Sequence, residues 1–379
     1  MANPFKNILK CLNDYNYLTA KCVLGKNEQM RCEFSLLKNG LLLREQICKQ
    51  LLKSSPSWAT PYGATHQKEK NQMEYSSRFS FLQNSEFQET YNQICKNKLV
   101  NSSKSIVLQT SYKNISNNFI TEDDHFYGSE TTTLLVSEYF VTKETALSKF
   151  YNIQRERKIW WMRFSANASR YSVVPFDICA KEYDEYKIAN ESKSISIKAN
   201  FPFGLIDMES ITLVPLYNIN SLNSNISEDS LNISLLRSVI DLDLITCALI
   251  LDACHYGSRN RINALMLNRK LVPYQILLAT LHRDDKIIEE LALHLKHVIS
   301  KSGLRLYNKS IHSNTQLELQ KHLMYFDNLG IPYALVVDDE SSKSGLIKLR
   351  SRDTTLFETI HISDIPTYLL NIFKNKSCL

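Results

Sequence analysis

The most regular alternation of apolar and polar residues lies near the C-terminus, in the segment from Gly345 to Lys374. Ile347, Leu349 and Ser351 alternate there with the cations Lys348, Arg350 and Arg352. On the two-residue period of a β-strand, this pattern predicts one apolar face and one face with a row of three cations. A turn over 353–355, a second strand over 357–362 and a helix that starts near Ser363 complete the segment.

Strands and helices also alternate in the residues before this segment. Predicted strands cover 272–281, 304–311 and 332–338, and predicted helices cover 285–302 and 313–330. Ser313 and Gln316 have the spacing of a capping box at the start of the second helix. Together with the C-terminal segment, these elements predict a layered α/β domain with a mixed sheet over 269–379.

Strands dominate the pattern in the first two thirds of the chain. They are predicted over 131–141, 194–201, 211–216 and 235–240, with shorter strands between 103 and 129, whereas 171–191 is irregular. Helices are predicted over 34–53 and 143–164, and a buried helix begins at Asp241. Residues 34–268 are therefore expected to form a separate domain that ends in the basic segment 259–270.

The N-terminal segment, residues 1–33, has an amphipathic start. It carries Lys6 and Lys10, has no acid before Asp14, and places its apolar residues on one helical face. This pattern is typical of a mitochondrial targeting helix, and an ordinary first helix has the same pattern. Both interpretations of residues 1–33 stay open on the sequence alone.

Composition narrows the classes of function. The 379 residues are 44% hydrophobic, which is enough for two or three domains with their own cores. Lys and Arg total 45 against 39 Asp and Glu, so the net charge of +6 permits nucleic-acid binding without requiring it. Nine cysteines without a Cys-x-x-Cys pair argue against a disulfide framework or a zinc ribbon. No apolar run reaches the roughly 18 residues that span a bilayer.

Catalytic motifs are weak throughout the chain. His294 and His297 lie three residues apart on a predicted helix, but no third metal ligand has a recognisable spacing. The acidic run at 122–125 is typical of a solvated loop. Only nine glycines are present, and they form no phosphate-cradling loop. We therefore expect no catalytic residue, no metal and no cofactor.

Clusters of basic residues are the candidate sites for nucleic acid. The candidate phosphate-contacting residues are Arg259, Arg261, Arg269 and Lys270, with Lys301, Arg305 and Lys309 as a second group. The aromatic pair Trp160 and Trp161 belongs to a generally aromatic helix, so we expect it in the core rather than in base stacking.

The C-terminal sequence GLIKLRSRDTTLFETIHIS, after its strand–helix array, resembles the anticodon-binding domain of class II aminoacyl-tRNA synthetases. Within that group, the chain most resembles the accessory subunits of mitochondrial DNA polymerase gamma, in their insect-like form. Further matches follow in order: Trp160-Trp161 with Arg163-Phe164, the turn at 200–204, Asp241-Leu242-Asp243, and Asn268-Arg269-Lys270-Leu271 before Pro273. The resemblance covers most of the chain from Phe34 onward.

The resemblance implies a fold, a function and a partner. The fold is a class II synthetase-like antiparallel-sheet domain over 34–268, followed by an anticodon-binding-like mixed-sheet domain over 269–379. The function is that of a non-catalytic processivity subunit, which binds the catalytic subunit in the mitochondrial matrix and raises its affinity for primer-template DNA. Because the sheet of anticodon-binding domains contacts the partner macromolecule, Lys348, Arg350 and Arg352 become candidate partner-binding residues, although such a face is merely solvated in most proteins.

Two departures from related proteins refine this expectation. A working class II synthetase has an ATP-gripping arginine at the position of Leu244, so adenylate chemistry is not expected. Vertebrate members of the family dimerise through a helical insertion, but here Pro61 follows Lys53 closely. A monomer in a one-to-one complex is therefore expected. The alternatives are a synthetase paralogue and an RNA-binding module unrelated to replication.

Overall fold

The computed structural model describes residues 4–24, 30–62, 68–70, 79–101, 104–116, 126–128, 131–176, 178, 185–186, 191–202, 204–216, 232–256, 262–281 and 286–374. The chain folds into two compact units. The small-sheet unit comprises Met1–Thr19, Leu37–Gln46 and Leu249–Leu379, and the large-sheet unit comprises Ala20–Leu36 and Ile47–Ala248.

The described helices are α1 (Pro4–Asp14), α2 (Lys38–Lys53), α3 (Ser85–Lys96), α4 (Lys143–Phe164), α5 (Leu242–Ala253), α6 (Lys286–Lys301), α7 (Gln316–Asn328), α8 (Asp339–Ser344) and α9 (Ile365–Lys374). The described strands are β1 (Leu18–Leu24), β2 (Met30–Leu36), β3 (Ala59–Pro61), β4 (Lys68–Lys70), β5 (Ser105–Ser116), β6 (Phe126–Gly128), β7 (Thr131–Thr142), β8 (Tyr171–Phe176), β9 (Lys193–Phe201), β10 (Gly204–Pro215), β11 (Ile233–Asp241), β12 (Cys254–Tyr256), β13 (Ile262–Leu265), β14 (Ile276–Leu281), β15 (Ile311–Ser313), β16 (Tyr333–Val337), β17 (Leu346–Ser351) and β18 (Phe357–His361).

The main sheet of the large-sheet unit has the order β3-β5-β7-β11-β10-β9-β8, and β4 also pairs with β5. From β5 to β8 every neighbouring pair of strands is antiparallel. One row of side chains, from Ile106 through Phe140 and Leu235 to Val214, packs with the buried face of α3 in an aromatic core. The side chains of the next row point to the opposite face, because side chains alternate along each strand. That face is covered by α4.

The sheet of the small-sheet unit is mixed, with the order β15-β14-β16-β17-β18. Strand β14 runs parallel to β15 and β16, whereas β17 runs antiparallel to β16 and β18. Ile347 and Leu349 of β17 contribute to a core with Leu295 of α6 and Leu369 of α9. This apolar face of β17 is the one that the sequence predicts.

The N-terminal helix α1 belongs to the folded small-sheet unit. Its Leu12 is fully buried, and the Tyr17 hydroxyl that follows it donates a hydrogen bond of 2.9 Å to the Leu329 carbonyl. Tyr15 lies beside Tyr325, with ring centres 5.4 Å apart. These contacts support the interpretation of residues 4–17 as a structural element, whether or not the segment also has a targeting role.

Several local predictions are confirmed, and others are wrong. Helix α4 has the predicted bounds, and β7, β9, β16 and the β17–β18 hairpin lie where the sequence places them. Thr315, rather than Ser313, caps α7 by accepting a hydrogen bond from the Glu318 amide. Ser313 is buried at the end of β15, where its hydroxyl pairs with His322. Of the predicted strand over 304–311, only an isolated bridge at Leu306 and the first residue of β15, Ile311, have β-structure. The segment 171–191, predicted to be irregular, begins with β8.

Only residues 54–58 separate the end of α2 from β3. Among the described residues, no helix combines the length and the apolar character that crossing a membrane requires.

Candidate functional site

Arg350, a candidate partner-binding residue, is buried under α7. Its two terminal nitrogens each donate to one carboxylate oxygen of Asp327, both at 2.8 Å, and Arg350 is only 7% exposed. A guanidinium held by a bidentate pair and removed from water serves the packing of α7 on the sheet. The prediction that Arg350 lies on a solvent-facing row is therefore wrong.

Arg352, the third cation of that row, is buried as well. Its Nη1 donates to the carbonyls of Leu265 and Gly330 at 2.8 and 2.9 Å, and its Nη2 donates to the Leu267 carbonyl at 3.2 Å. Gly330 has a φ of +83°, and a side chain there would meet the Leu265 carbonyl oxygen at 3.3 Å. Arg352 therefore joins the end of β17 to two other backbone segments, at Leu265–Leu267 and at Gly330. The predicted exposure of Arg352 is wrong because these tertiary contacts bury it.

Lys348 alone of the three keeps a partly exposed side chain. Its Nζ lies 2.8 Å from Asp338 Oδ2 and 3.1 Å from Glu340 Oε2. Hydrogen bonds, first to Asp338 and then to Glu340, raise the pKa of Lys348. Burial acts to raise the pKa of Asp338, but the hydrogen bonds from Lys348 and Ser341 outweigh it and lower that pKa. Lys348 thus lies beside two carboxylates on an inner strand of the sheet.

Lys348 belongs to an uncovered area of β17 and β18, which we call the hairpin face. Its residues are Leu346, Lys348, Phe357, Thr359 and His361. The register pairs Leu346 with His361 and Lys348 with Thr359, so these side chains share one face of β17 and β18. Phe357 is 47% exposed, and the neighbouring Leu356 is 70% exposed.

The turn that leads to Phe357 contains Thr355 with a φ of 59°. A left-handed conformation is rare for a β-branched residue, and such residues are enriched at functional sites. The hairpin face is not among the sequence-based predictions, because those predictions for β17 rest on its cations. The signal available in the sequence was the apolar pair Leu356-Phe357 directly after a turn.

Arg305, a candidate for phosphate contact, is engaged inside the protein. Its Nε donates to the Val272 carbonyl and its Nη2 to the Lys270 carbonyl, both at 3.1 Å. Burial lowers the pKa of Arg305 to about 10. The Arg305 guanidinium is thus hydrogen-bonded to the backbone of the turn before β14.

The other described candidates for phosphate contact differ in exposure. Arg269 is half-buried and donates to the Tyr333 hydroxyl at 3.3 Å, and Lys270 is half-buried too. Lys301, at the end of α6, and Lys309 are exposed. The remaining candidates, Arg259 and Arg261, lie outside the described residues.

The start of α5 contains Leu244, where the resemblance to class II synthetases implies an ATP-gripping arginine in those enzymes. Asp241 caps this helix by accepting hydrogen bonds from the amides of Asp243 and Leu244 at 3.0 and 2.9 Å. The Thr132 hydroxyl donates to Asp241 at 2.6 Å, and the Thr133 amide donates to Asp243 at 2.7 Å. Two carboxylates therefore occupy a helix terminus that would otherwise attract an anion.

Other groups with catalytic potential have structural or solvated surroundings. His294 and His297 are both exposed on α6, and the acidic run at 122–125 lies outside the described residues. The described part of the chain contains no group of three or more His, Cys, Asp or Glu residues that would hold a metal ion.

The aromatic pair on α4 belongs to the core, as predicted. Trp161 is fully buried, and its indole nitrogen donates to Glu209 Oε2 at 2.9 Å. Arg157 pairs with the same carboxylate at 2.9 Å, and Ser238 donates to its Oε1 at 2.6 Å. This network fixes α4 on the sheet, and burial leaves neither tryptophan available for base stacking.

The comparisons with known proteins agree with this architecture. Residues 275–372 match the family model described as the anticodon binding domain. The chain is 38% identical to the mitochondrial DNA polymerase subunit gamma-2 of Drosophila melanogaster, over 79% of this chain and 82% of the relative. It is 23% identical to DNA polymerase subunit gamma-2 of Mus musculus, over 59% of this chain and 50% of that protein.

Similarity extends to aminoacyl-tRNA synthetases. The chain is 23% identical to the glycine–tRNA ligase of Mycoplasmopsis synoviae, over 66% of this chain and 56% of that enzyme. The crystal structure of prolyl-tRNA synthetase from Cryptosporidium parvum, complexed with L-proline and AMP, matches with a TM-score of 0.60. That match covers 97% of this chain and 74% of the synthetase at 12% identity, so it concerns the fold alone. The predicted synthetase-like architecture is confirmed.

Proposed function

Because this chain belongs to the family of DNA polymerase gamma subunit 2, we propose that it is a non-catalytic accessory subunit of the mitochondrial DNA polymerase. In this role it binds the catalytic subunit and raises the processivity and the affinity of the enzyme for primer-template DNA. The observation that carries the proposal is the 38% identity to the Drosophila subunit along 82% of its length. The site of action would be the mitochondrial matrix.

The start of α5 supports a non-catalytic role. A synthetase stabilises the phosphates of ATP with a guanidinium, whereas this chain has Leu244 at that position and the carboxylate of Asp241 beside it. Like charges at this helix terminus oppose the binding of a nucleotide. An ATP–pyrophosphate exchange assay tests the alternative, a synthetase paralogue, and exchange above background would favour it.

The hairpin face supports contact with the catalytic subunit through the small-sheet unit. Exposed apolar side chains beside a cation form a surface of the composition found at protein interfaces. Lys348 keeps its candidate role there, whereas Arg350 and Arg352 would act only by holding the sheet in shape. The pair of substitutions Phe357→Ala and Lys348→Ala should weaken the complex at least tenfold, while Lys343→Ala, an exposed control on α8, should not.

Among the described candidates, Lys301 and Lys309 are the best placed for DNA contact, because both are exposed. Arg305, in contrast, uses its guanidinium to bind a backbone carbonyl inside the protein. Arg259, Arg261, Arg269 and Lys270 stay candidates for the same role. Charge reversal at Lys301 and Lys309 should lower the affinity of the complete polymerase for primer-template DNA and reduce its salt dependence.

The short link between α2 and β3 supports a monomer in a one-to-one complex. Sedimentation of the purified protein at micromolar concentration should give one monomeric species, and a stable homodimer would contradict this part of the proposal.

Co-purification with the catalytic subunit is the primary test of the function. Addition of the chain should then lengthen primer-extension products and extend polymerase activity to higher salt. A chain that neither co-purifies nor changes extension at any salt concentration would refute the proposed function and favour the RNA-binding alternative.

A further inference from the structure

Helix α4 of the large-sheet unit has an exposed side that the proposed function leaves unassigned. Its 22 residues make it about 33 Å long. Phe150, Ile153 and Trp161 are buried on the side that faces the sheet. The opposite side carries residues that are exposed to solvent.

Four large apolar side chains lie on this exposed side. Their exposed fractions are 45% for Leu147, 52% for Tyr151, 46% for Ile159 and 38% for Met162. At about 100° per residue they fall within an arc of about 120°, so they form one stripe, which we call the α4 stripe. A helix that needed only its buried side for stability would carry polar residues on this arc.

Cations lie within the same arc. Arg155 is exposed and Lys158 is half-buried, and both fall between the apolar residues at the two ends of the stripe. Lys193 of β9 places its ammonium 6.0 Å from the centre of the Tyr151 ring, within the range of a cation–π contact. Two exposed acidic residues lie nearby: Glu144 precedes Leu147 in the first turn of the helix, and Glu156 lies about 60° outside the arc. The centre of the stripe is therefore apolar and positively charged.

This combination of properties disfavours two occupants. A second copy of the chain that packed antiparallel about the middle of the stripe, between residues 154 and 155, would bring Arg155 beside its own counterpart. Facing like charges oppose such a dimer. A phosphate backbone would meet the cations, but it would also leave the four apolar side chains without an apolar partner.

We propose that the α4 stripe is a docking surface for an acidic amphipathic helix of a protein partner. Apolar residues of the partner at i, i+3, i+4 and i+7 would pack on Leu147, Tyr151 and Met162, as in other helix-in-groove complexes. Carboxylates beside that apolar seam would pair with Arg155 and Lys158. The inference rests on the proposed function, since the catalytic subunit is the partner with which it is tested.

Site-specific cross-linking tests the contact in the intact complex. p-Benzoyl-phenylalanine replaces Tyr151 in the full chain, the complex with the purified catalytic subunit is irradiated, and the cross-linked peptides are identified by mass spectrometry. We expect cross-links to a segment of the catalytic subunit with helical apolar spacing and flanking Asp or Glu. Cross-links to a basic segment, to DNA or to a second copy of this chain would overturn the inference.

Charge reversal provides the energetic test. Arg155→Glu with Lys158→Glu should weaken binding to the catalytic subunit at least tenfold at low salt, with a smaller loss at high salt. The matched control is Lys96→Glu with Lys104→Glu, which changes two exposed lysines of the same unit and should leave the affinity unchanged. Circular dichroism and thermal unfolding of both variants show whether the fold is retained.

The two proposals fail in different ways. If the wild-type chain binds the catalytic subunit and the α4 variant binds as tightly as its control, the α4 inference is wrong and the accessory function stands. If the wild-type chain forms no complex with the catalytic subunit, the accessory function and the α4 inference are both wrong.

Discussion

Arg350 of β17 and Asp327 of α7 form a bidentate ion pair with both N–O distances at 2.8 Å, and both side chains are nearly removed from solvent. The pair joins the sheet to the helix that covers it. An alternating strand sequence would place Arg350 in water, but α7 supplies a carboxylate at the matching position. Arg350, which the sequence pattern presents as a candidate binding residue, thus contributes to the packing of the small-sheet unit.

Removal of one member of this pair should destabilise the protein strongly. Arg350→Ala or Asp327→Ala leaves the other charge buried without its partner, at a cost of about 3–5 kcal/mol. Urea denaturation followed by circular dichroism measures this change. The double variant Arg350→Met with Asp327→Leu should recover most of the loss, since no unpaired charge remains. A single variant with wild-type stability would contradict the assigned packing role.

Replacement of Arg352 tests the role of its planar donor group. Arg352→Lys keeps the charge but cannot reach the carbonyls of Leu265, Gly330 and Leu267 together, because an ammonium is a point donor. A buried carbonyl that loses its donor costs about 1–3 kcal/mol, so we expect a lower midpoint of thermal unfolding. Lys343→Ala on α8 is the control and should leave the midpoint unchanged.

Stability should depend on pH through Asp241. Burial raises the pKa of this carboxyl from 3.8 to about 6, although hydrogen bonds from Leu244 and Thr132 act in the opposite direction. The folded state then holds the proton more tightly than the unfolded chain. The stabilisation from this group is therefore complete below about pH 4 and is lost as the pH rises through 6.

Asp241→Asn retains a helix cap but does not titrate. From pH 5 to 7.5, the free energy of unfolding should fall more in the wild type than in Asp241→Asn. Asp338→Asn is the matched control. The pKa of Asp338 is lowered, so Asp338 stabilises the fold above its ordinary pKa and loses that effect only at lower pH. An equal decrease in the free energy of unfolding between pH 5 and 7.5 for the wild type and Asp241→Asn would contradict the prediction.

The N-terminal contact of Tyr17 is also testable. Tyr17→Phe removes the donor to the Leu329 carbonyl in a fully buried position, which should cost about 1 kcal/mol. Tyr325→Phe changes a hydroxyl on a ring that is 47% exposed and should cost less than about 0.5 kcal/mol. Chemical denaturation of the two variants separates these outcomes. Equal stability of Tyr17→Phe and the wild type would show that the segment after α1 does not anchor the small-sheet unit.

The sequence by itself determined the periodic elements and the family relationship. Ile347 and Leu349 lie in the core because a strand has a period of two, and the bounds of α4 follow from its apolar spacing. The resemblance of the C-terminal segment also survives comparison with known proteins, because it depends on residue order and not on distances.

Only the tertiary structure decided which cations are exposed. Arg350, Arg352 and Arg305 are spaced like surface residues, but they find Asp327 and backbone carbonyls at distant positions in the sequence. The tertiary structure also decided which residue caps α7, because Ser313 is buried and Thr315 forms the cap instead. Periodicity determines the face on which a side chain lies, whereas its burial depends on the element that packs against that face.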